Sequence, residues 1–306
     1  MKLSIVTTLY FSANYIEEFV ARACRTAEAV CGSDYEVVLV NDGSPDDSLT
    51  LSLALRTTFP RVRIIDLSRN FGHHKAIMTG LSQAHGELVY LIDCDLEEQP
   101  EWLAEFHREL PKLGADVVYG IQVERKGNWF ERSSGFLFYM LFEKLTGLAI
   151  PYSSVTARLM SRRYVVALLR HQEREIFLAG LWHITGFRQC PIRVTKRSKG
   201  QSTYTFQRKL SLFVNAVTSF SNTPLVMIFY FGIGILLLAS GFIAYLVVYW
   251  LFLASPPSGW TSLIASIWFL GGLIISFIGI LGLYLSKVYS ESKQRPYTIV
   301  RETHGN

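Results

Sequence analysis

The fold is decided by the stretch at residues 88–95, which reads Leu88-Val89-Tyr90-Leu91-Ile92-Asp93-Cys94-Asp95. Five apolar residues in a row predict a buried strand, and two acids stand at its carboxyl end. In an open α/β sheet that edge is where ligands bind. Two carboxylates spaced i, i+2 repel each other, and a divalent cation such as Mg²⁺ or Mn²⁺ neutralises them. Taken alone, the acidic pair fits a solvated turn equally well. The rest of the sequence is therefore needed to choose between a metal site and a turn.

Strands and helices alternate along the chain around this stretch. The predicted order is strand 3–9, helix 15–30, strand 35–40, helix 47–59, strand 62–67, helix 75–84 and, after the acidic pair, helix 101–112 and strand 116–120. Such alternation predicts βαβ units joined by right-handed crossovers, and therefore an α/β, Rossmann-like and mostly parallel sheet. The chain contains neither G-x-G-x-x-G nor a P-loop, so a nucleotide would have to be bound by another motif.

A candidate motif of this kind lies at the end of the second predicted strand, where the chain reads Asn41-Asp42-Gly43-Ser44. A carboxylate beside a tight turn can accept hydrogen bonds from a base edge or from a ribose. The same four residues also form a simple Asx-turn readily, and the sequence alone leaves both interpretations open.

Two long apolar stretches follow the α/β region. No charged residue occurs from Leu225 to Ala254, and none from Ser255 to Ser286. Each stretch exceeds the roughly 20 apolar residues that cross a bilayer core, so transmembrane helices are predicted at 225–254 and 261–286. The loop between them is uncharged, whereas basic residues flank the pair at Arg208, Lys209, Lys287, Lys293, Arg295 and Arg301. The positive-inside rule then predicts a multi-pass protein of the inner (cytoplasmic) membrane, with the α/β domain and both termini in the cytoplasm.

Two further segments are expected to contact the membrane or a phosphate. Residues 133–150 are rich in aromatic side chains and predict an interfacial amphipathic helix, for which an ordinary core helix is the alternative. The basic run at 193–204 suits the binding of phosphate groups, or else serves only the positive-inside rule. The predicted division is an α/β domain at 1–204, a juxtamembrane amphipathic helix at 205–224, a transmembrane hairpin at 225–288 and a tail at 289–306.

Composition narrows the class of protein further. The net charge of +5 suits an anionic membrane surface as well as a nucleic acid. With two predicted spans we favour the membrane and expect no nucleic-acid partner. The four cysteines show no metal-ligand spacing, and a cytoplasmic domain keeps them reduced.

Six short motifs stand in order along the chain: Thr8-Leu9-Tyr10, Val40-Asn41-Asp42-Gly43-Ser44, Arg69-Asn70-Phe71-Gly72, Asp93-Cys94-Asp95-Leu96-Glu97-x-x-Pro100-Glu101, Arg197-x-x-Gly200-x-Ser202-x-Tyr204 and Arg295-Pro296-Tyr297. In this order, and with two spans near the carboxyl end, they resemble the polyprenyl-phosphate glycosyltransferases of glycosyltransferase family 2. That group is similar to dolichol-phosphate mannose synthase and to bacterial undecaprenyl-phosphate glucosyltransferases. The resemblance is nearly full-length and implies an inverting enzyme with a GT-A domain.

The resemblance implies a donor pocket, a metal and an acceptor site. The residues expected to bind the nucleotide-sugar are Thr8, Tyr10, Asp42, Asp93, Cys94, Asp95, Arg125, Lys199 and Ser202. Those expected to bind Mg²⁺ or Mn²⁺ are Asp93, Asp95 and Glu97. The expected catalytic residues are Asp93, Asp95 and Arg197, and the phosphate of the acceptor lipid is expected at Arg132 and Ser134.

Three positions depart from the family pattern. Gly120-Ile121-Gln122 replaces a G-S-R of relatives, which leaves Arg125 as the nearest cation, and Thr203 replaces a lysine whose charge Lys199 can supply. Val155-Thr156-Ala157-Arg158-Leu159 replaces a G-D-F-R-L whose aspartate is a candidate catalytic residue. The sequence therefore offers no carboxylate general base at this position. An ionised polyprenyl phosphate needs little deprotonation, so positioning and charge stabilisation are expected to drive the reaction.

The expected reaction is the inverting transfer of one sugar from a nucleotide-sugar, UDP-glucose, to undecaprenyl or another polyprenyl phosphate, for cell-envelope glycan or lipopolysaccharide modification. The alternatives are another donor, such as GDP-mannose or a UDP-amino sugar, and a membrane scaffold or flippase partner without enzyme activity. A flippase is disfavoured because neither span contains an ionisable residue. The resemblance also implies a homo-oligomer, a tetramer, assembled through the membrane region.

Overall fold

A computed structural model describes residues 1–122, 140–148, 150–151, 153–196, 206–253 and 259–305. The chain forms two compact units. The first is an α/β unit made of Met1–Leu141, Leu148–Thr205 and Arg295–Asn306. The second is a helical unit made of Phe142–Gly147 and Phe206–Gln294. The chain therefore leaves the α/β unit, forms the helical unit and returns to the α/β unit at its carboxyl end.

The α/β unit is built on one sheet of eight strands in the order β7-β5-β6-β4-β1-β2-β3-β8. The strands are β1 Leu3–Leu9, β2 Tyr35–Asn41, β3 Val62–Leu67, β4 Leu88–Leu91, β5 Val117–Gln122, β6 Ser154–Ser161, β7 Gln189–Val194 and β8 Val300–His304. Strands β3, β2, β1 and β4 run parallel, which confirms the predicted Rossmann-like half. Strand β6 is antiparallel to both of its neighbours, β4 and β5, so the sheet is mixed.

Helices cover this sheet between the strands. In the α/β unit they are α1 Ile16–Cys31, α2 Ser48–Thr58, α3 His73–Gln83, α4 Trp102–Lys112, α6 Arg162–Leu168 and α7 Leu178–Ile184. A further helix, α5, is described at residues 140–146. The rest of the interfacial helix predicted at 133–150 lies outside the described residues, apart from 147, 148 and 150, which are not helical.

The core follows from the alternation of side chains along the strands. Strand β2 is buried along its whole length, with Val37 and Leu39 in the same core as Phe19 of α1 and Phe106 of α4. Val40 belongs to the other face, where α3 packs closely: a Cβ added at Gly80 would lie 2.8 Å from the Val40 side chain. Burial on both faces is the pattern of a parallel sheet covered by helices.

A buried ion pair lies in the first three strands. Glu36 is 2% exposed, and its carboxylate lies 2.7 Å from Nη1 of Arg63 in the neighbouring strand. The same carboxylate accepts hydrogen bonds from the Ser4 hydroxyl and from the backbone N–H of His85. These contacts lower the pKa of Glu36 against the opposing effect of burial. Fully paired in this way, the charge is compatible with a core position.

The carboxyl-terminal residues complete the sheet. Strand β8 pairs antiparallel with β3, and Arg301 forms an ion pair with Asp66 at 3.3 Å. Just before the strand, the hydroxyls of Thr298 and Thr79 lie 2.7 Å apart. The tail predicted at 289–306 is therefore divided: its first residues extend the helix Trp260–Ser292, and its last residues form an edge strand. No apolar pattern marks that strand, because an edge strand at the surface needs little burial.

The helical unit contains α8 Phe206–Phe220, α9 Thr223–Leu253 and α10 Trp260–Ser292. Helix α8 coincides with the predicted juxtamembrane helix. Within α9 and α10, stretches Thr223–Phe242 and Ser266–Ser292 have the length and composition to cross a membrane, and their most apolar windows are not buried within the protein. The prediction of two apolar helices of spanning length is confirmed. So large an exposed apolar surface is suited to lipid rather than water.

Candidate functional site

Polar residues gather where the parallel strands end. Thr8 and Tyr10 lie at the carboxyl end of β1, Asp42 follows β2, and Asp93 follows β4. Because β1 pairs with both β2 and β4, these ends are neighbours at one edge of the sheet. The structure thus brings together the predicted donor residues that it describes, at the position where open α/β sheets bind ligands.

The acidic pair of the opening stretch lies beside α3. Nε2 of His73, the first residue of α3, is 3.5 Å from Oδ1 of Asp93, and Nδ1 of His73 is 3.0 Å from the Thr8 hydroxyl. Asp95 accepts a hydrogen bond from the backbone N–H of Glu97 at 3.0 Å. Burial raises the pKa of Asp95, and the like charges of Asp93 and Glu97 raise it further. Two acids so close together favour a bound cation.

Two glutamates after the pair face Lys196, which follows β7. Nζ of Lys196 lies 3.1 Å from Oε2 of Glu97 and 3.8 Å from Oε1 of Glu98. Glu98 has no exposed surface; its Oε1 accepts from the backbone N–H of Thr156, while Oε2 has no hydrogen-bond partner. Burial raises the pKa of Glu98 to about 8. A buried carboxyl group therefore contacts Thr156, the residue that replaces the family's aspartate.

A cavity of about 290 Å³ opens beside these groups. Its lining includes His73, His74, Glu98, Trp182 and Lys196. His74 is held by a hydrogen bond between its Nδ1 and the carbonyl of Ile176, and burial lowers its pKa. The cavity therefore offers an imidazole, a carboxylate and an ammonium next to the acidic pair.

Hydrogen bonds to the Asp46 carboxylate hold the loop that carries Tyr10. The Asp46 carboxylate accepts from the hydroxyls of Ser44 and Ser48, each at 2.5 Å, and from the backbone N–H of Ala13 at 3.1 Å. Ser44 in turn accepts from the N–H of Phe11. Burial opposes ionisation, but the hydrogen bonds prevail and lower the pKa of Asp46 to about 2. The loop leaves the Tyr10 ring half exposed at the sheet edge.

Two predicted donor contacts have other roles in the structure. Asp42 is 2% exposed, and its two oxygens accept from the backbone N–H groups of Phe71 and Gly72 at 2.7 and 3.0 Å. It therefore anchors the 69–72 loop, and its role as an acceptor for the base stays a prediction. Cys94 is 3% exposed and belongs to the hydrophobic core.

Six predicted site residues lie outside the described residues: Arg125, Arg132, Ser134, Arg197, Lys199 and Ser202. Sequence reasoning missed Asp46, His73, Glu98 and Lys196. A signal existed for Asp46, because a serine on each side of an aspartate near a helix start suggests a capping turn. No local signal connects Lys196 to the glutamates, since that contact depends on where β7 ends.

The donor set at the sheet edge fits a divalent cation. Asp93 and Asp95 supply carboxylate oxygens, the ligands that Mg²⁺ and Mn²⁺ prefer. Glu97, the third predicted ligand, has one oxygen in contact with Lys196. Within the described ranges no three His, Cys, Asp or Glu side chains are arranged to hold a metal by themselves. A cation here would therefore take further ligands from its substrate and from water.

Comparison with known proteins places these features in a family. The model of glycosyl transferase family 2 matches residues 4–169. The chain is 48% identical to a protein described as "Putative glycosyltransferases" from Mycobacterium tuberculosis, over the whole of this chain and 89% of that protein. It is 31% identical to an undecaprenyl-phosphate 4-deoxy-4-formamido-L-arabinose transferase from Enterobacter sp., over 96% of this chain and 91% of that protein.

Among solved structures, S. aureus TarS 1–349 in complex with UDP-GlcNAc matches with a TM-score of 0.48 and 19% identity, over 72% of this chain and 66% of that one. The family assignment rests on the sequence matches. They include relatives that match along nearly the whole chain, the two long apolar helices included. The chain belongs to glycosyltransferase family 2, and it is a glycosyltransferase.

Proposed function

We propose that this enzyme transfers one sugar from a nucleotide-sugar, UDP-glucose, to undecaprenyl phosphate or another polyprenyl phosphate, with inversion at the anomeric carbon. The observation that carries the proposal is the acidic pair at the end of β4 in a chain that also has two helices of membrane-spanning length. A site for a diphosphate in a membrane protein suits a water-soluble donor and a lipid acceptor. The lipid-linked sugar would serve cell-envelope glycan or lipopolysaccharide modification.

On the donor side, Asp93 and Asp95 would hold Mg²⁺ or Mn²⁺. The cation would stabilise the negative charge of the departing nucleoside diphosphate. The Tyr10 ring, fixed by the loop that Asp46 organises, would stack on the base, and Thr8 would orient His73 beside Asp93. Glu97 and Glu98 would fix Lys196, and with it the start of the basic segment that carries Arg197, Lys199 and Ser202. Arg125 would add a further positive charge.

On the acceptor side, Arg132 and Ser134 would bind the lipid phosphate. Its oxygen is ionised at neutral pH and attacks the anomeric carbon directly, so the replacement of the family's aspartate by Thr156 removes no necessary step. The rate would then depend on positioning and on the positive charge around both phosphates.

Both termini and the α/β unit are proposed to face the cytoplasm. The basic residues at the outer ends of the helix pair support this orientation. Leu148–Thr205, which precede the helical segment, and Arg295–Asn306, which follow it, belong to the same α/β unit, so an even number of crossings is required. Assembly into a homo-oligomer, a tetramer through the membrane helices, is part of the proposal.

A second donor is favoured by one observation. The Enterobacter relative is named for a formamido-arabinose, so a UDP-amino sugar is the alternative to UDP-glucose. GDP-mannose is a further candidate without such support.

The test is a transfer assay with the detergent-extracted full chain, undecaprenyl phosphate and a panel of labelled nucleotide-sugars, with and without Mg²⁺. We expect one donor to give a lipid-linked product. Asp95→Ala should abolish transfer and leave the thermal unfolding midpoint unchanged, whereas Glu105→Ala, an exposed acid in α4, should retain activity. Near-normal transfer by Asp95→Ala, or product on protein instead of lipid, would contradict the proposal.

A further inference from the structure

Arg158 is a buried cation without a buried anion to pair with. It lies in β6, is 2% exposed, and no carboxylate among the described residues forms an ion pair with it. Its Nε and one Nη donate to the carbonyls of Thr156 and Val155, both at 3.1 Å. Burial lowers the pKa of Arg158 to about 9, so the side chain is still charged at neutral pH. An isolated charge in a protein interior is costly, which calls for an explanation.

A buried N–H donor without a partner adjoins this cation. The Arg158 guanidinium stacks on the indole of Trp182. Nε1 of that indole is buried and has no hydrogen-bond partner among the residues that the structure describes. Buried N–H groups without partners are rare in folded proteins, and one in contact with a buried cation indicates a ligand that accepts hydrogen bonds.

Space for such a ligand is present. Arg158 and Trp182 line a cavity of about 280 Å³ together with Tyr119, Ser154 and His183. Trp182 and Ser154 also line the cavity that contains Glu98 and Lys196. The Arg158 cavity therefore borders the proposed donor site without containing the acidic pair. The residues that line this cavity include no aspartate and no glutamate, so no carboxylate in the lining repels an anion.

We propose that the Arg158 cavity is an anion site that binds a phosphate group, held by the Arg158 guanidinium and the Trp182 indole N–H. A tetrahedral phosphate can accept from both donors at once and from a neighbouring hydroxyl. Such a site would hold the phosphate of a substrate or product next to the reacting groups. The choice of phosphate over other anions rests on the proposed function, since both substrates of that reaction carry phosphate.

The test measures phosphate binding directly, without any transfer reaction. Sodium phosphate is titrated into the detergent-extracted full chain at constant ionic strength, and tryptophan fluorescence is recorded. We expect saturable binding by the wild type. Arg158→Met should weaken binding by about tenfold or more, since a charged hydrogen-bonding group is lost. Arg170→Met, which removes an exposed arginine after α6, should bind as the wild type does.

Two further variants protect the test against misfolding of Arg158→Met. Arg158→Lys keeps the charge but loses the planar fork, and Trp182→Phe keeps a ring but loses the indole N–H. Both should weaken phosphate binding, the latter recorded by titration calorimetry. Equal phosphate affinity in the wild type and in these variants, or no saturable binding in the wild type, would overturn the proposal.

Competition identifies the source of the phosphate. Displacement by UDP assigns the site to the nucleotide, displacement by farnesyl phosphate assigns it to the lipid, and displacement by neither leaves a site for free phosphate. If the wild type binds phosphate at Arg158 but transfers no sugar, the proposed function fails and the anion site stands. If it transfers sugar but the variants bind phosphate normally, only the anion site fails.

Discussion

Replacement of Asp46 by asparagine tests how the loop that carries Tyr10 is held. Asp46 accepts hydrogen bonds from two serine hydroxyls and from the N–H of Ala13. Asparagine keeps the shape of the side chain, but it removes the charge and turns one acceptor into a donor. That amide donor would face other hydrogen-bond donors, so at least one of the hydrogen bonds that Asp46 accepts is lost.

The size of the effect follows from the pKa. The ordinary value of 3.8 falls to about 2 in the folded protein. Each pKa unit corresponds to roughly 1.4 kcal/mol, so the ionised Asp46 contributes about 2 kcal/mol to the free energy of unfolding near neutral pH. In a domain of this size, that lowers the thermal midpoint by roughly 4 to 8 °C.

The assay is thermal unfolding of the full chain in detergent, compared among the wild type, Asp46→Asn and Asp47→Asn. Asp47 is the exposed neighbour, and its replacement should change the midpoint little. Because the folded pKa of Asp46 is lowered, its contribution is present above pH 4 and is lost as the pH falls toward 2. The difference between the wild type and Asp46→Asn should shrink in that interval. Equal midpoints for the two variants at pH 7 would refute the reasoning.

Three further outcomes are expected. Gly43→Ala should destabilise the protein by about 2 to 4 kcal/mol in thermal unfolding, because φ is +58° and the new Cβ would lie 2.4 Å from the backbone of Arg69. Arg63→Met should cost about 3 to 5 kcal/mol by leaving Glu36 buried and unpaired, and adding Glu36→Gln should recover part of it; no recovery would contradict the pairing. Chelation by EDTA should abolish transfer without changing the unfolding midpoint, and Mn²⁺ or Mg²⁺ should restore it; activity that survives chelation would exclude the metal.

The parallel half of the fold was predictable because local pattern and tertiary position agree there. Strands β1 and β3 have the predicted bounds, since each apolar run is bordered by polar residues or turn signals. Strand β6 was missed although its alternation was readable: Val155, Ala157 and Leu159 all face the core. This segment departs from the G-D-F-R-L motif of relatives, but its apolar residues still alternate with the period of two that is typical of a strand.

The site was predictable only where the chain itself carries the chemistry. Asp93 and Asp95 follow an apolar run that predicts a buried strand of the sheet. Their position at the carboxyl edge of that sheet could therefore be predicted. Asp42 accepts from the backbone of Phe71 and Gly72, a long-range contact that no local pattern indicates, whereas the local turn contact is made by Asn41, which accepts from the N–H of Ser44. Glu98 and Lys196 are far apart in sequence, so their contact follows from the pairing of β5 with β7, which no local pattern indicates.

Strand β8 has a consequence for how the protein is made. It pairs Ile64 with His304, residues separated by 240 positions in the sequence. Both long apolar helices are therefore synthesised first, and this edge of the sheet closes only after residue 304 has been made. Until that moment β3 offers an unpaired edge, a template for wrong pairing. A chain that stops before residue 300 would lack β8 and leave this edge of the sheet unpaired.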